Sequence, residues 1–89
     1  MKIKEDFVLR QVADTWVVLP LGQTSVDFDG MLTLNESGVL LWRALERGAM
    51  REDLVQVLTA EYEVSDQQAL ADVDEFLALL MKAGCLVQQ

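Results

Sequence analysis

The 89-residue chain has few of the side chains that usually perform catalysis. It contains no histidine, so the commonest general base and the commonest metal ligand are both missing. Ser37 is therefore a poor nucleophile, because nothing in the sequence can activate its hydroxyl group. Cys85 has no basic neighbour and no second cysteine with which to form a disulfide, so we expect an inert apolar thiol. We expect no catalytic, cofactor-binding or metal-binding residue.

The charge and length of the chain exclude further classes of function. The formal net charge is −8, the pI is about 4.2, and seven basic residues are scattered along the chain. Without a basic stripe to neutralise phosphates, neither nucleic acid nor an anionic membrane is an expected partner. No signal peptide or membrane-spanning run is visible, and the lone cysteine fits a reducing compartment. We expect one cytoplasmic domain over residues 1–89.

The apolar pattern predicts strands first and helices afterwards. Phe7–Val12 and Thr15–Pro20 form a predicted hairpin, and Met31–Leu34 forms a third strand after the Asp29-Gly30 turn. Whether Ser25–Phe28 joins the sheet is left open. Three helices follow, at about 36–46, 50–62 and 66–83, with caps at Asn35 and Ser65 and stops at Gly48 and Gly84. This order predicts an α+β domain, a three-stranded antiparallel sheet followed by a three-helix bundle, resembling a winged helix-turn-helix.

The third helix carries more apolar surface than one partner helix would cover. Its predicted core face, at a rotation of about 100° per residue, consists of Leu70, Val73, Leu77 and Leu80. The flank beside that face carries Ala69, Asp72, Phe76, Leu79 and Ala83. Phe76 is as compatible with burial under the sheet as with exposure, whereas Leu79 lies further round and is expected to be exposed.

A short strand that ends at a helix start is suited to the edge of a sheet. If the edge formed by Met31–Leu34 lies beside the apolar flank of the third helix, the two enclose a groove. Such grooves accept an extended chain, which pairs through main-chain hydrogen bonds and inserts alternate side chains into pockets. The sequence thus predicts a peptide-binding edge.

The most specific segments are Gly30-Met31-Leu32-Thr33-Leu34-Asn35-Glu36-Ser37-Gly38, followed by Trp42, and Asp72-Val73-Asp74-Glu75-Phe76-Leu77. In these segments, and over about 7–86, the chain resembles the PqqD family, which recognises leader segments of ribosomally made, post-translationally modified peptides. The resemblance implies a leader that adds as a strand beside the third strand and lies against the third helix. The peptide-binding residues it implies are Met31, Leu32, Thr33, Leu34, Asp72, Phe76 and Leu79. It also implies a non-catalytic adaptor that serves a separate maturation enzyme, either a radical SAM enzyme or a leader peptidase.

Other functions fit the sequence to different degrees. A DNA-binding winged helix needs a basic recognition helix, but the third helix is acidic. An acyl-carrier protein is all-helical and carries a serine in an Asp-Ser-Leu context, which this chain lacks. A dimerisation or scaffold module that uses the same sheet edge remains the alternative, because open edges also pair with copies of themselves. The protein is then a monomer or a homodimer.

Overall fold

The chain folds as strands followed by helices, as the sequence predicts. A computed structural model describes residues 1–22 and 32–87. The elements are β1 (Lys2–Ile3), β2 (Phe7–Val12), β3 (Thr15–Pro20), β4 (Leu32–Leu34), α1 (Glu36–Arg47), α2 (Arg51–Glu61), α3 (Asp66–Ala83) and β5 (Leu86–Val87). The three-stranded antiparallel sheet and the three helices confirm the predicted α+β class.

The main sheet has the strand order β2-β3-β4. The predicted hairpin is confirmed, with Val12 opposite Thr15 and only Ala13 and Asp14 between them. Ala13 has a φ of 56°, the left-handed conformation that so tight a turn requires. The central strand β3 also pairs with β4, which begins at Leu32. The predicted strand residue Met31, the Asp29-Gly30 turn and the open question of Ser25–Phe28 lie outside the described residues.

A second, two-stranded sheet was not predicted. Strands β1 and β5 pair antiparallel, with Ile3 opposite Leu86. Beside this pairing, the Lys4 N–H donates to the carbonyl of Cys85 at 2.8 Å. As expected, Cys85 is fully buried, and burial raises the pKa of its thiol to about 11. This pairing joins the start of the described chain to the segment that follows α3.

The predicted helix ends are confirmed by their hydrogen bonds. The Asn35 side-chain oxygen accepts from the Gly38 N–H at 2.9 Å, which caps α1. The Ser65 hydroxyl accepts from the Gln68 N–H at 3.0 Å, which caps α3. Helix α3 stops at Gly84, whose φ of 76° is a left-handed conformation that favours glycine.

The buried face of α1 differs in part from the predicted one. The apolar spacing of the sequence predicts a face made of Val39, Leu40, Trp42 and Leu45. Trp42 and Leu45 are fully buried, but Val39 and Leu40 are only half-buried. Leu41, which was left out of the predicted face, fills the core instead. The core face is therefore rotated around the helix axis relative to the predicted face.

The buried face of α3 is also rotated. Leu70, predicted as core, is 36 % exposed, so that prediction is wrong. Ala69 and Phe76, predicted as flank, are 0 % and 9 % exposed. The rotation arises because α3 packs against the start of α1, where a Cβ on Gly38 would stand only 3.4 Å from a ring carbon of Phe76. Over residues 1–22 and 32–87, no helix is long and apolar enough to cross a membrane.

Candidate functional site

A groove of about 920 Å³ lies between β4 and α3. One wall comes from the end of β4 and the first turns of α1, and the other from one face of α3. The residues that line it are Asp14, Thr15, Thr33, Leu34, Asn35, Ser37, Gly38, Leu41, Leu58, Asp72, Glu75, Phe76, Ala78, Leu79 and Lys82.

Five of the seven predicted peptide-binding residues meet at this groove. They are Thr33, Leu34, Asp72, Phe76 and Leu79. Leu32 lies in β4 but does not line the groove, and Met31 is outside the described residues. The structure thus brings together the strand and helix positions that are about forty residues apart in the sequence.

The direction of the β4 backbone follows from the tight hairpin. Val12 and Thr15 flank a two-residue turn, so they must exchange both of their main-chain hydrogen bonds. Successive residues of a strand point their main-chain groups to opposite sides, so Trp16 bonds towards β4. Trp16 lies opposite Leu34, and this pair is therefore hydrogen-bonded.

By the same alternation, the main-chain groups of Thr33 point away from β3. Leu32 and Leu34 bond to β3, so the N–H and the carbonyl of Thr33 point to the outer edge. The Asn35 N–H also points outward, because it is antiparallel to the Leu34 carbonyl across a planar trans peptide. Within the described residues no strand pairs with this edge. Three main-chain groups there can bond an added strand.

The floor of the groove is apolar and closely packed. Leu34 and Phe76 are both almost fully buried there. A Cβ on Gly38 would stand 3.3 Å from the Leu34 Cβ and 3.4 Å from the Phe76 ring. Glycine therefore lets the start of α1 approach both side chains closely. Phe76 belongs to the core and to the groove floor together.

The outer wall is a line of α3 side chains that we call the α3 ridge: Asp72, Glu75, Leu79 and Lys82. These four positions fall within about 80° of one another around the helix. Leu79 is 43 % exposed, as predicted. Asp72 accepts a hydrogen bond from the Gln68 side chain at 2.9 Å. The ridge offers two carboxylates, one apolar side chain and one ammonium group to anything lying in the groove.

The opposite side of α3 has a different character. Leu70, Asp74 and Met81 lie within about 40° of one another there, and we call them the rear stripe. Arg51 of α2 donates two hydrogen bonds to the Asp74 carboxylate, both at 2.6 Å. These bonds lower the pKa of Asp74 and raise that of Arg51. This ion pair links α2 to α3 away from the groove.

A smaller pocket of about 420 Å³ continues the groove beyond the end of β4. It shares Asn35, Ser37, Leu58 and Asp72 with the groove and adds Glu36, Tyr62 and Val64. Neither Tyr62 nor Val64 is among the predicted peptide-binding residues. The half-burial of both side chains beside a helix end is a tertiary property that sequence spacing does not reveal.

Among the described residues, no group of three or more histidine, cysteine, aspartate or glutamate side chains is placed to hold a metal ion. The groove is lined by carboxylates, hydroxyls and one amine, and the Ser37 hydroxyl donates to the Asn35 amide oxygen at 3.0 Å. Its geometry is suited to binding an extended chain.

Comparisons with known proteins agree with this geometry. The chain is similar to the structure described as TbiB1 in complex with the TbiA(beta) leader peptide, with 30% identity, a TM-score of 0.80, and coverage of 100% of this chain and 98% of that one. It shares its fold with lasso peptide synthetase B1 complexed with the leader peptide, at 24% identity and a TM-score of 0.76, over 98% and 96% of the two chains. None of the curated proteins compared with the chain matches it significantly.

A family comparison covers most of the sequence. Residues 15–86 match the family described as Coenzyme PQQ synthesis protein D (PqqD). The matched range contains β3, β4 and all three helices, and therefore every element that builds the groove. The chain belongs to the PqqD family.

Proposed function

We propose that this protein binds the leader segment of a ribosomally made precursor peptide as an extra strand beside β4 and against α3. The observation that carries the proposal is the outer edge of β4, whose main-chain groups at Thr33 and Asn35 face the groove lined by Phe76 and Leu79. The 30% identical TbiB1, solved with a leader peptide, supports it.

Two kinds of contact hold the peptide. The outward main-chain groups of Thr33 and Asn35 offer up to three hydrogen bonds, each contributing roughly 1 kcal/mol net. Apolar peptide side chains cover Leu79 and reach the Phe76 floor, at roughly 2 kcal/mol for each that is buried. Ordering the flexible peptide costs about 2–5 kcal/mol. Binding of this strength is reversible, which suits a peptide that is held and later released.

The protein acts as an adaptor and performs no chemistry itself. It presents the precursor to a separate maturation enzyme, a radical SAM enzyme or a leader peptidase, in the cytoplasm. Met31 and Leu32 belong to the proposed docking strand, although the Leu32 side chain does not line the groove. The absence of histidine from the sequence and the hydrogen bond from the Ser37 hydroxyl to the Asn35 amide oxygen, which is not a base, support a role without catalysis.

The test begins with a search for a short precursor gene beside the gene for this protein, followed by titration of the ¹⁵N-labelled protein with the synthetic leader that such a gene encodes. We expect slowed hydrogen exchange at the Thr33 and Asn35 amides and shift changes along the α3 ridge. Shift changes confined to the rear stripe, or no binding up to about 100 μM, would contradict the proposal. Protection of the Thr33 amide that grows with protein concentration alone would favour the self-pairing scaffold.

A further inference from the structure

The α3 ridge carries its charges in an order that can select among extended peptides. Building on the proposed function, we infer that the groove prefers a segment with a basic side chain, an apolar side chain and an acidic side chain at alternate positions. The basic side chain faces Asp72 and Glu75, the apolar one covers Leu79, and the acidic one faces Lys82. The ligand class is thus a strand with one apolar residue midway between opposite charges.

The alternate spacing of the peptide side chains follows from comparing the rise per residue of helix α3 with that of a bound strand. From Asp72 to Lys82 the helix advances about 15 Å, at about 1.5 Å per residue. An added strand advances about 3.3 Å per residue and returns to the same face at every second residue, so four residues cover about 13 Å. If residue i lies opposite the interval between Asp72 and Glu75, residue i+2 falls within about 2 Å of Leu79 along the helix and residue i+4 falls opposite Lys82.

The ridge charges are available to a ligand. Within the described part of the chain, the ion pairs are Arg43 with Glu46 and Arg51 with Asp74, and neither involves the ridge. Lys82 is the sole basic residue among the described groove-lining residues. The acidic end is reinforced where Glu36 joins Asp72 in the adjoining pocket. Along the α3 ridge, the end at Asp72 is therefore negative and the end at Lys82 is positive, while Asp14 of the β2–β3 turn adds a further carboxylate to the groove lining.

Four synthetic decapeptides test the inference, all with the same composition of Thr, Val, one Leu, one Lys and one Glu. Two place Lys and Glu four residues apart with Leu midway, in either order, and two place them three apart, which puts the charges on opposite faces of a strand. Affinity is measured by fluorescence anisotropy. We expect the better four-apart peptide to bind about three- to tenfold tighter than either three-apart peptide. The preferred order of the charges reports the direction of the added strand.

Two charge-reversal variants distinguish an effect of the ridge charge on binding from an effect of the protein's net charge. Lys82→Glu and Arg10→Glu change the net charge equally, but Arg10 is exposed on β2, away from the groove. We expect Lys82→Glu to abolish the preference for four-apart spacing and Arg10→Glu to retain it. High salt should also reduce the preference, because exposed charge pairs are screened.

The outcomes distinguish this inference from the proposed function. Equal affinity for all four peptides, or an equal effect of the two variants, overturns the charge pattern. Strand addition still holds in that case if the natural leader protects the Thr33 amide. If the natural leader also fails to bind, both proposals are wrong.

Discussion

Asp74 and Glu75 are neighbours in the sequence, yet they serve opposite sides of α3. Asp74 lies on the rear stripe and accepts two short hydrogen bonds from Arg51. Glu75 lies on the α3 ridge beside the groove and has no ion-pair partner within the described residues. The same acidic side chain, rotated by one residue, therefore has two different environments.

This difference shows that a small acidic domain can pair some of its carboxylates within the chain and leave others beside the groove. On the rear stripe a carboxylate is matched by an arginine of the same chain, and it helps to hold α2 against α3. On the ridge the carboxylates and Lys82 stand beside an apolar floor and an open sheet edge. The carboxylate of the rear stripe is paired with an arginine of the same chain. The charged side chains of the ridge have no ion-pair partner within the described residues, so they can pair with a bound peptide.

The largest expected effect comes from Phe76→Ala, which removes an aromatic ring that belongs to both the core and the groove floor. Phe76 is both core and groove floor, so its loss should lower the free energy of unfolding by roughly 3–5 kcal/mol. Urea denaturation measures the change. Leu79→Ala is the control, because this exposed side chain should cost less than about 1 kcal/mol. Equal costs for the two variants would mean that the ridge is part of the core.

The next effect concerns the open edge. Thr33→Pro removes the outward N–H, and we expect leader affinity to fall about tenfold or more through lost hydrogen bonding and a poorer fit. Gln11→Pro is the matched control, because by the same alternation its N–H points outward from β2, at the far edge of the sheet. Isothermal titration of both variants decides the matter. If Gln11→Pro weakens binding as much as Thr33→Pro, the peptide does not pair with β4.

The two faces can be compared directly with one substitution on each. Leu79→Asp places a charge on the ridge and should weaken leader binding about tenfold, because an apolar contact is replaced by a desolvated carboxylate. Met81→Asp introduces the same charge on the rear stripe, where the side chain is 53 % exposed. It should leave affinity unchanged. Anisotropy with a labelled leader measures both, and thermal denaturation should show little change for either.

The smallest effect is that of the rear ion pair. Arg51→Gln removes the partner that lowers the pKa of Asp74. A carboxyl group whose pKa is lowered by folding contributes stability above its ordinary pKa, and that contribution is lost as the pH falls through the folded value. The variant should therefore be slightly less stable at neutral pH, and its difference from the parent should shrink as the pH falls below the ordinary aspartate pKa of about 3.9 and Asp74 becomes protonated. The effect should vanish in an Asp74→Asn background. If Arg51→Gln also lowered leader affinity, the ion pair on the rear stripe would contribute to peptide binding at the α3 ridge.

Much of this architecture is predictable from the sequence because its signals are local. The caps at Asn35 and Ser65, the stop at Gly84 and the two-residue hairpin depend on side-chain chemistry within a few residues. The pairing of β1 with β5 was not predicted, since strands of two residues carry no periodicity and these two are far apart in the sequence.

Predictions about helix faces were less accurate for a related reason. Leu70 and Phe76 are both large and apolar, yet Phe76 is buried where α1 approaches it at Gly38 and Leu70 is 36% exposed, a difference that depends on tertiary packing. The groove could be anticipated from a strand edge and a wide apolar helix. The outward direction of Thr33 could not, because it depends on the register between β3 and β4.

Cys85 gives the β1–β5 pairing a practical use as a reporter of local opening. The thiol is fully buried, and its pKa of about 11 leaves only about one thiolate in a thousand at pH 8. An alkylating reagent can therefore label it rapidly only after the strand segment around it opens. The labelling rate, compared with that of the unfolded chain, gives the free energy of this opening. One natural residue can thus show, without any engineered probe, whether filling the groove also steadies the end of α3.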